Sequence, residues 1–433
     1  MQPEAPATGR RAWSIVALLM AFMALNFADK GVLGLVADPI RDDLDLTASE
    51  FGAIASSFYL LFSLSALLVG LFGDRLRARP LLAVLVLVWS AAQLPILIPA
   101  AGFASLVATR VLLGAGEGPS FPLATNIAFG WFPEVRRSLP AALMAVGAAL
   151  GAVVGAPLVI VVLALFDWRA TFGMLGLLGL LWLLAWWRWG GDGPYAAAPS
   201  PDEAKAGQAE RVPYRRIFLS GTWLGGTFSM FAVMWSLALA LTWLPTWLED
   251  HVGFSDAAVS GAIGLPSVTG VLFVLGGGVL AQRLLKRDAS PRLAQGVIGA
   301  VAALTGGLCL LGLTRVGPVA LMLPLMALGF AVGNAQTPLT TAAIARICPP
   351  TQRATALATG YAVAATSSIL APYVSGLIID AAATEAAGFD NAFDVSGLLL
   401  VAGGLVALLT VRPDRDVQAT VPAERNLPTV AAP

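Results

Sequence analysis

The chain has 433 residues, of which 58% are hydrophobic and only 12% charged, and its mean hydropathy is +0.80. That composition excludes a soluble globular domain of this size. The 26 basic and 26 acidic residues balance, so nothing in the net charge suggests a nucleic-acid partner, and two cysteines, Cys309 and Cys348, offer neither a disulfide framework nor a metal cluster.

Apolar segments of 18 residues or more recur along the chain, separated by short charged or Gly/Pro-rich links, as required when each helix crosses a hydrocarbon core of about 30 Å. They predict an all-α membrane protein with twelve transmembrane helices at 13–36, 52–73, 80–101, 103–131, 138–162, 168–189, 217–247, 257–281, 292–313, 317–346, 354–379 and 393–411. The opening GRRAWSIVALLM (Gly9 to Met20) has the look of a twin-arginine export signal, but no small-residue cleavage site follows it and eleven more spans do. With both termini cytoplasmic, 21 of the 26 Lys and Arg residues fall on that side, in accord with the positive-inside rule. The opposite loops are acidic (Asp38, Asp42, Asp43, Asp45, Glu249, Asp250, Asp256), and His251 is expected to be solvated among them.

Span 1 contains LNFADKGVLG (Leu25 to Gly34) and span 4 contains RVLLGAGEGPSFP (Arg110 to Pro122). GAGEG imitates a phosphate-binding turn, but no strand precedes it. Thr47 and Ser255 are predicted N-caps of spans 2 and 8. In span 5, Gly147, Gly151 and Gly155 recur every fourth residue before Pro157, one flat face for close packing on a neighbouring helix. The 190–216 segment is rich in Gly, Pro, Ala and charge, the composition of a flexible linker. The expected organisation is therefore a tail at 1–12, a six-helix bundle at 13–189, the linker at 190–216, a second bundle at 217–411 and a disordered tail at 412–433.

The two halves echo each other. GLFGDRLRAR (Gly70 to Arg79) after span 2 is matched 208 residues later by GVLAQRLLKR (Gly278 to Arg287), and a shift of 216 lays Pro122 on Pro338, Pro133 on Pro349 and Arg137 on Arg353. Internal repeats of this kind build alternating-access carriers that hold substrate between the halves near the midplane. GLFGDRLRAR also resembles the helix 2–3 loop signature of the major facilitator superfamily, with Arg77 where a second glycine is usual. The resemblance implies two pseudo-symmetric bundles and a cytoplasmic gate motif at Gly70, Asp74, Arg75 and Arg79, repeated at Gln282 and Arg283.

Four ionisable residues lie deep in predicted spans: Asp29, Lys30, Arg110 and Glu117. Burying each in lipid costs several kcal/mol, so they are expected to be paired and to face the bundle. Arg110 and Glu117 share a helix face, about 10.5 Å apart along the axis. Asp29 and Arg110 have matching depths, which predicts that they pair. With all four ionised the site is neutral; protonating one acid leaves +1 and protonating both leaves +2, so an anion binds best after protons do. Unit charges about 5 Å apart interact by roughly 3 kcal/mol at an effective dielectric near 20, enough to link substrate and proton binding strongly.

GEGPSFP after Arg110, NFADK in span 1 and TWLPTWL (Thr242 to Leu248) resemble the anion:cation symporter family, which includes galactonate, hexuronate and phthalate permeases and lysosomal sialic-acid carriers. The resemblance implies proton coupling through Asp29 and Glu117 and substrate anion binding through Lys30 and Arg110. Lys30 stands where arginine is usual and offers a point charge instead of a bidentate fork. Phe27, often tyrosine in the family, removes a hydroxyl and implies a less hydroxylated substrate.

The second half has no mid-membrane charge, and its candidates for a neutral substrate wall are Ser236, Asn334, Gln336, Thr337, Tyr361 and Thr366. Trp235 and Trp243 are pocket aromatics or interfacial anchors. The expected function is proton-coupled symport of a small organic carboxylate by a monomer in the bacterial inner membrane, with the proton as coupling ion and no cofactor. An efflux antiporter for drugs or metabolites is the alternative. A signalling receptor would need a larger soluble domain, and no nucleophile–base pair or metal-ligand spacing suggests an enzyme.

Overall fold

In the computed structural model, residues 9–72, 77–132, 138–194 and 212–420 are described. Every predicted span finds helix, and no strand occurs among the described residues. The long helices are α1 (Arg10–Leu35), α2 (Ala48–Phe72), α3 (Ala78–Leu97, its last turn tightened), α4 (Phe103–Glu117, resuming as Ser120–Phe129), α5 (Ser138–Leu165), α6 (Trp168–Trp189), α7 (Gly221–Thr246), α8 (Asp256–Lys286), α9 (Arg292–Leu313), α10 (Val319–Ile347), α11 (Pro350–Asp380) and α12 (Glu385–Thr410). Eleven are long and apolar enough to cross a membrane. α4 is not among them because Gly118 and Pro119 interrupt it; proline brings no N–H to the helical ladder.

Local chemistry sets the helix starts. Thr47 and Glu50 form a reciprocal capping box on α2: the Thr47 hydroxyl accepts from the Glu50 N–H at 3.2 Å, and the Glu50 carboxylate accepts from the Thr47 N–H at 2.9 Å. Asp167, Ser220 and Thr384 cap α6, α7 and α12 through the N–H three residues on. Ser255 occupies the N-cap position of α8 but makes no side-chain cap bond.

Glycines set the closest packing. Gly147, Gly151 and Gly155 of α5 lie in register against Met20, Ala24 and Ala28 of α1, so that a methyl on Gly151 would overlap the Ala24 backbone. This is the seam the four-residue spacing predicts. α7 through α12 pack chiefly among themselves, as do α1 through α6. Between these two sets, the contacts among the described residues chiefly join α2 to α11, α1 to α7 and α5 to α8.

Those cross-contacts gather at the end of the molecule that carries Asp38, Asp42, Asp43 and Glu385, here termed the acidic end. The Asp380 carboxylate at the end of α11 accepts from the Ala48 and Ser49 N–H groups at 3.0 and 2.8 Å, placing a negative charge on the unsatisfied amides that open α2. Gly52 sits against the Pro372 carbonyl, Gly376 against Ala48, and Gly34 of α1 against the Leu241 carbonyl of α7. Arg41, on the short helix Ala37–Leu44, pairs with Glu385 at 2.9 Å. His251 is not simply solvated: it stacks on Trp247 and lies 3.9 Å from Asp390.

At the opposite, basic end, Arg79 ties the start of α3 to the end of α6, donating to the Trp187 carbonyl at 2.8 Å. Gln282 and Arg283 are exposed on α8. Gly70 lies in the last turns of α2, whereas Asp74 and Arg75 are outside the described residues, as are Pro133, Arg137, linker residues 195–211 and tails 1–8 and 421–433. The described end of the linker is anchored, because the Gln352 amide exchanges two 2.8 Å hydrogen bonds with the Val212 backbone. The tail expected to be disordered from 412 begins instead with a helix, Pro413–Thr420, whose Asp416 accepts from the Thr222 N–H at 2.8 Å.

Candidate functional site

α1 and α4 bring the four intramembrane charges into one neighbourhood. Lys30 Nζ donates to Asn26 Oδ1 at 2.8 Å, one turn back on α1, and lies 4.0 Å from Glu117 Oε2. Its ammonium also faces two aromatic rings, with centroids at 4.6 Å for Phe27 and 5.1 Å for Phe62; such faces attract a cation without neutralising it. Glu117 is fully buried, and neither carboxylate oxygen has a hydrogen-bond partner.

The expected Asp29–Arg110 pair does not form. Asp29 accepts from the Gln93 amide of α3 at 3.0 Å. The Arg110 guanidinium lies 4.9 Å from the Phe172 ring centroid, with Nη2 buried and unpartnered. Counting residues from the helix ends fixed the depth of each group but not its bearing around the helix axis. Arg110 remains within electrostatic range of both Asp29 and Glu117, so the charges act on one another as a cluster rather than as two closed pairs.

Lys30 and Arg110 line the same small cavity with Tyr59 and Phe58 of α2 and with Leu241 and Thr242 of α7. The void is about 20 Å³, room for little more than one water. α7 thus borders the space between the two cations. A larger void of about 100 Å³ lies among α1, α5, α7, α8 and α10, lined by Phe27, Gly31, Leu237, Ser267 and Asn334 among others. Leu241 borders both spaces, and a side chain at Gly31 would meet nothing within 4 Å.

The proposed neutral wall is only partly assembled there. Asn334 reaches the larger void from the tight turn Val332–Ala335, with its amide donating to the Phe330 carbonyl at 3.2 Å. Tyr361 is 43% exposed and lines neither void. Ser236 is buried with an unpartnered hydroxyl and lines neither void. Gln336 points elsewhere: its amide oxygen packs against Gly299 of α9, away from Lys30. The Thr366 hydroxyl donates to the Val363 carbonyl at 2.7 Å within α11, and the Thr337 backbone carbonyl accepts from the Thr341 hydroxyl at 2.8 Å within α10.

Trp243 is neither pocket aromatic nor interfacial anchor. It is fully buried, donates to the Pro372 carbonyl at 3.1 Å and packs edge-on against Phe51 across the contact between the two halves. Trp235 is buried beside Ala238 and Ala371. Sequence reasoning missed Asn26 and Gln93, the two amides that hold Lys30 and Asp29. Both were visible as lone amides in otherwise apolar spans, Asn26 one turn before Lys30 and Gln93 just before Pro95.

The comparisons place this geometry in a family. A family model for the Major Facilitator Superfamily matches residues 18–341. A hexuronate transporter of Bacillus subtilis (strain 168) is 28% identical over 402 residues, spanning 92% of this chain and 94% of that protein. A probable sulfoacetate transporter of Cupriavidus necator is 32% identical over 302 residues, 65% of this chain and 67% of that protein. Among solved structures, a bacterial homologue of the human lysosomal transporter Spinster, in an inward-facing and unoccupied conformation, superposes with a TM-score of 0.78 at 16% identity, covering 96% of this chain and 99% of that one. The all-helical architecture, the match over most of the chain and the relatives together establish a multi-pass membrane transporter that belongs to the Major Facilitator Superfamily.

Proposed function

We propose that the chain carries a small organic anion together with protons, by alternating access, across the bacterial inner membrane. The observation that carries this reading is the cavity shared by Lys30 and Arg110, with Glu117 buried 4.0 Å from Lys30 and lacking any hydrogen-bond partner. A carboxylate or sulfonate entering between the two cations competes with Glu117 for them, and a protonated Glu117 gives them up. Relatives named for hexuronate and sulfoacetate support an organic acid as cargo. Phe27 beside Lys30, in place of a hydroxyl-bearing ring, favours the less hydroxylated of such acids.

The basic end is assigned to the cytoplasm because most Lys and Arg fall there. With the two halves in contact at the acidic end, the conformation described is then closed to the outside. Leu241 and Thr242 of α7 border the Lys30 cavity, and their withdrawal would admit substrate. Asp29, held by Gln93, and Glu117 are assigned to the proton, Lys30 and Arg110 to the anion.

Glu117→Gln separates these roles. In proteoliposomes it should abolish uphill accumulation driven by a proton gradient while leaving exchange of internal for external substrate. Unchanged accumulation with an unchanged pH dependence would remove Glu117 from the proton path.

A further inference from the structure

At the basic end, the starts of α1 and the finish of α6 leave a groove lined by Arg11, Ser14, Leu18, Arg188 and Trp189, with a volume of about 630 Å³. It lies outside the charged cluster and shares no residue with the two voids beside α7. Both arginines are exposed, and neither has an ion pair among the described residues. The nearby Asp192 carboxylate is already engaged by the Arg79 N–H at 3.1 Å.

Arg11 is held rather than free. Its guanidinium lies 5.5 Å from the Trp131 ring centroid, and the Trp131 indole N–H donates to the Gly191 carbonyl at 3.0 Å. A guanidinium over an aromatic face is attracted by the ring and keeps N–H groups for an oxyanion. Beside the groove, Leu184, Trp187 and Trp189 are 67%, 74% and 60% exposed. Exposed tryptophans at the end of an apolar helix mark the level where acyl chains give way to headgroups, so the two guanidinium groups stand at the depth of lipid phosphates. Basic pockets between helices on the cytoplasmic side are suited to anionic headgroups.

We propose that the Arg11–Arg188 groove seats the phosphate of an anionic phospholipid of the cytoplasmic leaflet, with Ser14 beside it and the acyl chains lying along Leu184, Trp187 and Trp189. The volume accommodates a glycerol-phosphate headgroup, and a soluble phosphate would gain nothing from the apolar flank. The site is separate from substrate binding and stands whether or not the transport reading does.

The test uses the full chain in detergent, titrated with phosphatidylglycerol and read by native mass spectrometry and by thermal shift. The R11Q/R188Q chain should bind about thirtyfold more weakly, at about 1 kcal/mol for each arginine lost. R283Q/R287Q, which removes the same charge from the basic end of α8, should stay within about twofold of wild type, since the effect belongs to one groove. Phosphatidylcholine and inorganic phosphate should give no comparable stabilisation. Equal binding by R11Q/R188Q, an equal loss in R283Q/R287Q, or equal stabilisation by inorganic phosphate would overturn the proposal. Should the glutamine pair not fold, the single variants R11Q and R188Q should each bind about fivefold more weakly, and unchanged binding in both would count against the site equally.

Discussion

The first six helices and the last six solve different problems with the same architecture. α1 and α4 carry Asp29, Lys30, Arg110 and Glu117, and leave Arg110 Nη2 and both Glu117 oxygens unpartnered in the interior. α7 to α12 carry no charge at that depth; their contribution at the cavity is Leu241 and Thr242, a lid of α7, while Trp243 and Pro372 brace the contact with α2. Buried charge without hydrogen-bond partners is costly, so its confinement to one half makes that half the candidate for coupling chemistry. The other half supplies the apolar wall of Leu241 and the neighbouring Thr242. On the proposed reading an internal repeat divides its labour: one copy would hold the ions and the other would open and close over them.

The sharpest way to break that contrast is to neutralise single residues on each side. Lys30→Gln and Arg110→Gln should each lower transport about a hundredfold, the equivalent of losing roughly 3 kcal/mol of charge interaction, whereas Ser236→Ala should stay within about threefold. Initial uptake rates per molecule in proteoliposomes give the comparison. A Ser236→Ala loss as large as either charge loss would dissolve the distinction between the halves.

The next largest effect concerns the α1–α5 seam that positions Lys30. Gly151→Val drives a side chain into the Ala24 backbone and should cost about 1–3 kcal/mol, visible as a lower melting temperature in detergent. Gly31→Ala, on the same helix as Lys30 but facing open space, should leave melting unchanged.

Smaller still is a pH effect at the acidic end, where the halves meet. Burial holds the Asp38 carboxyl at about 6, aided by Asp250, Glu385 and Asp42 and opposed by Arg41; Glu249 lies in the same cluster. A carboxylate whose pKa is raised in the closed arrangement binds its proton more tightly there than when hydrated near 3.8. Protons therefore favour closure as pH falls through 6, and the gain is complete below about 4. Distance measurements across the acidic end should show a closed population that grows on acidification, with Asp38→Asn flattening the dependence. A closed population that grew on raising the pH would have the wrong sign.

Much of this was legible in the residues because hydropathy, charge and four-residue glycine spacing are local or periodic signals. The apolar helical spans, eleven of them long enough to cross a membrane, the α1–α5 seam and the N-cap at Thr47 all express such signals. What depended on bearing around a helix was not legible. Asp29 and Arg110 match in depth, yet Gln93 of α3 intervenes, and Gln336 turns toward Gly299 instead of the cavity. Nor could a short polar helix at Pro413–Thr420 be read from its own composition, since it is fixed by a distant partner, Thr222. Asp380 was passed over for the same reason: its meaning lies in the two amides of α2 that it caps.

The central claim is that anion and proton move together. Uptake of a panel of labelled organic acids into proteoliposomes, with and without an imposed inward proton gradient, tests it directly. The account predicts uphill accumulation of a small carboxylate or sulfonate that a protonophore abolishes. Uptake indifferent to the gradient, or proton release during uptake of cationic or neutral compounds, would contradict it.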